Sequence, residues 1–135
     1  DLNVLYQNTP RLLAELHAAR ATGAQARLLA RLLHADLLVL DDFGLQPLSP
    51  QAAQDLYDLV RERYERGSLI VTSNRAFDEW AEVFGNDLLA SAALDRLTHH
   101  AHTLIIRGDS YRQRSRRKEG TSGASAAPTE RSSQA

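Results

Sequence analysis

An α/β fold built on a parallel sheet is predicted by three features of this 135-residue chain. Two short apolar runs, Leu37–Leu40 and Leu69–Val71, have the length and composition of strands buried in a parallel sheet. A long amphipathic helical pattern separates them, and a β-prone run followed by helical spacing already leads into the first run. Repetition of that order calls for parallel strands joined by right-handed crossovers. Each run also stops on polar residues, Asp41-Asp42 after the first and Ser73-Asn74-Arg75 after the second. Open α/β sheets place their ligands at such carboxyl ends.

The chain opens on a β-prone run, Leu2 to Tyr6. Thr9 is positioned to cap a helix with Pro10 in its first turn, and Leu12, Leu13, Leu16 and Ala19 give that helix its stripe to about Ala21. Gly23 breaks it, and Ala24 to His34 resumes helical spacing through Leu28, Leu29, Leu32 and Leu33. Beyond the double aspartate, Gly44 to Ser49 reads as a loop, and Ser49-Pro50 repeats the cap-then-proline signal. The helix from about Ser49 to Arg66 has its apolar face at Ala53, Leu56, Tyr57, Val60 and Tyr64. Glu62 and Arg66 can pair one turn apart, Arg63 and Arg66 suit the C-terminal dipole, and Gly67 is the expected stop. After the Ser68–Thr72 strand, Phe77 to Phe84 predicts one short helix whose aromatics, Trp80 among them, dock on the core. A helix from Asn86 or Asp87 to about His99 carries Ala90, Ala93, Leu94 and Leu97 on its stripe. Arg96 falls roughly 100° from Leu97, off the stripe and open to solvent or a partner. Thr103–Ile106 predicts a fourth strand. From Glu119 onward no large apolar residue occurs, and that tail is expected to be disordered.

Composition sets the limits. At 43% hydrophobic and 24% charged the chain suits one domain with one core. It has no cysteine, which excludes disulfides and thiolate metal sites and fits a reducing cytoplasm. No apolar run approaches the length of a membrane span, and nothing at the start resembles a signal peptide. The net charge of -1 hides a basic cluster at Arg112, Arg114, Arg116, Arg117 and Lys118. There is no methionine, even at position 1, so the sequence reads as a piece of something longer. Lys118 is the sole lysine and Glu119 follows it, so no GxxxxGK[ST] phosphate loop exists in these residues.

The chemistry these residues allow centres on Asp41 and Asp42. Carboxylates at a strand's end can serve a Mg-nucleotide site, or can simply leave the strand and begin a loop. His99, His100 and His102 lie close together without a completing ligand, and the end of a helix accounts for them as cationic groups. No GxSxG elbow is present. A phosphoacceptor receiver would need a lysine after its last strand, where Arg107 stands.

Taken together, Leu37–Gly44 (LLVLDDFG), Ile70–Asn74 (IVTSN), Leu94–Leu97 (LDRL) and Gly108–Arg112 (GDSYR), in this order, resemble the IstB-like helper ATPases of insertion-sequence transposition. The chain is similar, more distantly, to the DnaC helicase loaders. The resemblance runs from about Leu2 to Arg112, and it implies a partial AAA+ ATP-binding domain over 1–112 and a basic, then disordered, tail over 113–135. The implied architecture is the three-layer parallel sheet of the P-loop NTPases, truncated at the N-terminus. The family's roles fall on matching positions. Asp41 is the Walker B acid that holds Mg²⁺ through water, and Asp42 is the water-activating acid, shorter than the glutamate of many AAA+ proteins. Asn74 is the sensor for the attacking water or γ-phosphate. Arg96 is the arginine finger that reaches a neighbouring subunit's nucleotide, and Arg112 is the second sensor. The implied cofactors are ATP and Mg²⁺, and the implied partners are DNA, a transposase and further copies of the ATPase, with no membrane. The basic run after Tyr111 could touch DNA phosphate.

The departure from the family is upstream. The first strand, the glycine-rich loop and its lysine are not in these residues, and that strand belongs between those matching Leu69–Thr72 and Thr103–Ile106. The chain alone is therefore expected neither to bind ATP tightly nor to hydrolyse it, and its sheet to have a gap or a rearranged pairing. Helicase loading on the same fold, and a non-catalytic module that oligomerises or binds DNA, are the alternative functions.

Overall fold

A computed structural model of the protein describes residues 1–99 and 101–106. Arg112, the GDSYR motif, His100, Arg107, the basic run and the tail lie outside the described residues. The elements below all belong to the unit Asp1–His102; Thr103–Ile106 is the described part of a second unit.

The sheet has three parallel strands in the order β1 (Val4–Asn8), β2 (Leu37–Asp41) and β3 (Ser68–Val71). Val4 pairs with Leu37 and Asn8 with Asp41; Leu37 pairs with Ser68 and Leu40 with Val71. Between β1 and β2 run α1 (Thr9–Thr22) and α2 (Gln25–His34), and between β2 and β3 runs α3 (Pro50–Arg63). Two crossovers of one hand, stepping in one direction across a sheet, must lie on the same face. Accordingly Leu12 and Leu16 of α1, Leu32 of α2 and Leu59 of α3 form one buried cluster with Leu38 and Leu40. Side chains alternate along a strand, so Val4, Tyr6 and Ile70 point the other way, and they are 55%, 60% and 48% exposed. The described residues thus form two of the three expected layers.

A second cluster sits beyond α3, where α4 (Trp80–Phe84), preceded by a 3₁₀ turn at Phe77–Glu79, and α5 (Asp87–Thr98) pack around Phe43, Ala53 and Leu56. Trp80 stacks on Phe43 with centroids 4.5 Å apart, which is the docking role expected of that aromatic segment. An ion pair of 2.7 Å between Arg20 and Asp55 joins α1 to α3. No helix among the described residues is long and apolar enough to cross a membrane.

Four expectations are corrected. The cap of α1 is Asn8, whose carboxamide oxygen accepts the Arg11 N–H at 3.2 Å; Thr9 is the first helical residue and is wholly buried. Helix α3 starts as expected, with Ser49 accepting the Ala52 N–H at 3.1 Å, but it ends at Arg63 and not at about Arg66 before Gly67. The left-handed residue of that turn is Glu65, at φ 60°. Arg63 is the last residue of the helix. It does not serve its own helix end but donates Nη1 to the carbonyls of Leu32 and Ala35, both at 2.9 Å, and Nη2 to Ser68 O at 2.8 Å. A buried guanidinium therefore satisfies the orphan carbonyls at the end of α2 and ties them to the start of β3. Burial pulls its pKa below the ordinary value, and Asp36 acts against that. Glu62 and Arg66 do pair, at 3.4 Å. Lastly, Thr103–Ile106 is not a strand, and Leu104, Ile105 and Ile106 are exposed. An apolar run becomes a strand only where a neighbour takes its backbone hydrogen bonds.

Candidate functional site

The carboxyl ends of β1, β2 and β3 bring Asn8, Asp41 and Thr72 side by side, because the register aligns Asn8 with Asp41 and Leu40 with Val71. Asp41 points to the uncovered face, in phase with Val39. Its Oδ2 accepts the Tyr6 hydroxyl at 2.5 Å, and its Oδ1 accepts the Thr72 hydroxyl. The Thr72 hydroxyl and then the Tyr6 hydroxyl hold the Asp41 carboxyl below its usual pKa. Partial burial pushes the other way, and the Asp42 N–H adds to the lowering. The carboxylate in turn raises the pKa of the Tyr6 phenol. Asp41 is thus an anion at neutral pH with both oxygens oriented.

Asp42 leaves the strand in the left-handed region, at φ 56°, which aspartate tolerates better than most residues. Its N–H donates to Thr72 Oγ1 at 3.2 Å, and its exposed carboxylate accepts Asn8 Nδ2 at 3.0 Å. Asn8 therefore uses its oxygen to cap α1 and its amide nitrogen to hold Asp42.

The segments after β2 and β3 are joined to each other. Phe43 N–H donates to Thr72 O at 2.9 Å, and the Ser73 hydroxyl donates to Phe43 O at 2.6 Å. Arg75 Nε donates to Gly44 O at 3.2 Å. Gly44 is at φ 76°, where a side chain would be strained. Phe43 stacks on Trp80 and these bonds tie the two loops to each other, with Asn74 exposed beside them. Asn74 is exposed and its side chain makes no hydrogen bond to another described residue.

Arg96 is not brought to these carboxylates. It is half-buried on α5, where its guanidinium lies 5.5 Å from the Tyr57 ring and 6.0 Å from the Tyr64 ring, and donates to Ala92 O at 3.2 Å. The expectation that it is free to face solvent or a partner is corrected within this chain: two tyrosines of the α3 segment, seven residues or about two turns apart, receive it. Beside Asp42 a cleft of about 180 Å³ is lined by Thr9, Leu13, Gly44, Leu48 and Ser49. That is below the ~300 Å³ at which ligand pockets begin.

Whether Mg²⁺ suits these donors can be judged from their chemistry. No group of three or more His, Cys, Asp or Glu side chains converges among the described residues, so a cage made of protein ligands is not available there. Mg²⁺ keeps most of its waters and is held by one or two carboxylates together with substrate phosphates, and an ionised, oriented Asp41 fits the carboxylate part of that set. Tyr6, Thr72 and Asn8 were not singled out in the sequence. The signal that could have found them is a polar-tipped residue at the carboxyl end of each strand flanking Asp41.

Comparison with known proteins adds to this geometry. A family model described as IstB-like ATP binding protein matches residues 1–119. A Sinorhizobium fredii protein, y4pL, named as an insertion sequence ATP-binding protein, is 48% identical over 118 residues, covering 87% of this chain and 48% of that protein. A Pseudomonas aeruginosa protein named as the ATP-binding protein of insertion sequence IS21 is 43% identical over 117 residues, covering 87% of this chain and 44% of its own length. The chain spans about half the length of these relatives. Among solved structures, a DNA replication initiation factor superposes with a TM-score of 0.66 at 17% identity, over 90% of this chain and 36% of that one. The DnaC helicase loader gives a TM-score of 0.58 at 20% identity, over 70% of this chain and 58% of the loader. These structural likenesses show the fold alone: a parallel α/β sheet resembling that of AAA+ P-loop ATPases.

Proposed function

The chain belongs to the IstB-like ATP-binding protein family, and from that premise we propose that it carries the acid and sensor part of an ATP·Mg²⁺ site in a protein that assists DNA transposition. The observation that carries the reading is Asp41, ionised, doubly hydrogen-bonded and at the end of β2 beside the Thr72–Asn74 segment. Asp41 would hold Mg²⁺ through its water shell. Mg²⁺, when bound, supplies charge neutralisation to the nucleotide phosphates. Asp42 would accept a hydrogen bond from the attacking water, and Asn74 would orient that water or the γ-phosphate. Arg96 would neutralise phosphate charge in a neighbouring copy, after leaving the Tyr57 and Tyr64 rings at a cost of about 0.5–1 kcal/mol. Arg112 takes the second-sensor role by its motif.

The phosphate-cradling loop falls outside these 135 residues in this reading, and with it the strand that would adjoin β3. Two features support that. The sheet face bearing Asp41 also bears exposed Val4, Tyr6 and Ile70, and the outer edge of β3 pairs with no described strand. A covering layer and an adjoining strand, as in the AAA+ fold, would bury both. Residues 1–112 then form part of an ATP-binding domain, and the basic 113–135 segment is outside it and suited to DNA phosphate. The partners that follow are DNA, a transposase and further copies of the ATPase, in the cytoplasm. The DnaC-like fold supports helicase loading as a second reading. Co-purification with a transposase or with a replicative helicase separates the two.

Equilibrium titration of the full chain with a fluorescent ATP analogue and Mg²⁺ tests the division of the site. Binding much weaker than micromolar is expected, because no lysine-bearing loop is present to hold the β- and γ-phosphates. Micromolar binding would overturn it.

A further inference from the structure

Tyr6 has a large ring on an uncovered sheet face, 60% exposed, in the company of Val4, Val39 and Ile70. What the tyrosine adds is its hydroxyl. In the β1–β2 register Tyr6 lies opposite Val39, two residues before Asp41 and on the same face. The phenol spans that diagonal and donates to Asp41 Oδ2 at 2.5 Å. Thr72, from the strand on the other side, donates to Oδ1.

An aspartate carboxylate has about four lone-pair sites, two on each oxygen, and the torsion that turns its plane is broad. One donor on each oxygen, from opposite sides, fixes that plane and still leaves a lone pair on each oxygen for metal-bound water. We propose that Tyr6 is a positioning residue for Asp41, its hydroxyl acting with that of Thr72 to hold the carboxylate in the orientation that receives a hydrated divalent cation. This rests on the reading of Asp41 as the cation-holding acid. Tyr6 acts through Asp41 and does not itself touch nucleotide.

The test is Mn²⁺ binding to the full chain, followed by the electron paramagnetic resonance of unbound Mn²⁺, for the wild type, Asp41→Asn and Tyr6→Phe. Tyr6→Phe keeps the ring and removes only the hydroxyl. Loss of a partner that orients a metal-holding group typically weakens affinity by 10–100-fold, and because water intervenes here about tenfold is expected, with an unchanged melting temperature. Wild-type binding that Tyr6→Phe leaves equal or makes tighter overturns the positioning role and spares Asp41. Binding that Asp41→Asn leaves equal overturns the cation reading itself, and this inference with it. A second measurement needs no metal. The H₂O-to-D₂O isotope shift on the Asp41 carboxyl carbon should shrink in Tyr6→Phe, and an unchanged shift counts against the proposal.

Discussion

On one face of the sheet Leu38 and Leu40 are fully buried under α1, α2 and α3, whereas on the other Val4, Tyr6 and Ile70 are about half exposed or more. Both faces carry apolar side chains from the same three strands, so the difference comes from what each face is given to pack against. The covered face closes a core within the described residues. The open face carries Asp41, and its polar bonds, from Tyr6 and Thr72, converge on that one carboxylate. Stability and the candidate chemistry are therefore divided between opposite sides of one sheet.

That division predicts unequal responses to mutation. Leu40→Ala, on the covered face, should cost about 2–5 kcal/mol in denaturant unfolding. Arg63→Met, at the edge of the same core, should cost about 2–3 kcal/mol, because it orphans carbonyls at the end of α2 and the start of β3. Ile70→Ala, on the open face, should cost less than about 1 kcal/mol. A loss at Ile70 matching that at Leu40 would mean that the open face is packed after all. The smallest effect is on pH dependence. A carboxyl whose folded pKa is depressed contributes stability that is fully present above its unfolded pKa, about 3.9, and is lost as pH falls through the lower folded value. Asp41 should therefore titrate below an unfolded aspartate in an NMR titration. Thr72→Val should raise its pKa more than Tyr6→Phe does, since the Thr72 bond is the larger cause. Equal titration of all three proteins would remove the two-sided clamp.

Much of this was legible in the chain because local signals carried it. Leu37–Leu40 followed by two aspartates marks a strand end, and Ser49-Pro50 marks a helix start, both set by neighbouring residues alone. What was not legible depends on partners distant in sequence. Arg63 looks like a helix-end cation until α2 places its carbonyls within reach. Arg96 looks solvent-facing by its helical angle, but the rings that receive it belong to the α3 segment. Thr9 beside Pro10 looks like the cap, but Asn8, one residue earlier, caps the helix and also holds Asp42. Thr103–Ile106 has a strand's composition, yet composition does not provide the neighbour that a strand requires.

The central claim is that the open face at the end of β2 receives a hydrated divalent cation on Asp41. Paramagnetic broadening by Mn²⁺ in the amide spectrum of the full chain tests it most directly. Selective broadening of Asp41, Asp42, Phe43, Thr72, Ser73 and Asn74, abolished in Asp41→Asn, is the predicted result. Broadening centred on other residues, or unchanged by Asp41→Asn, would contradict it.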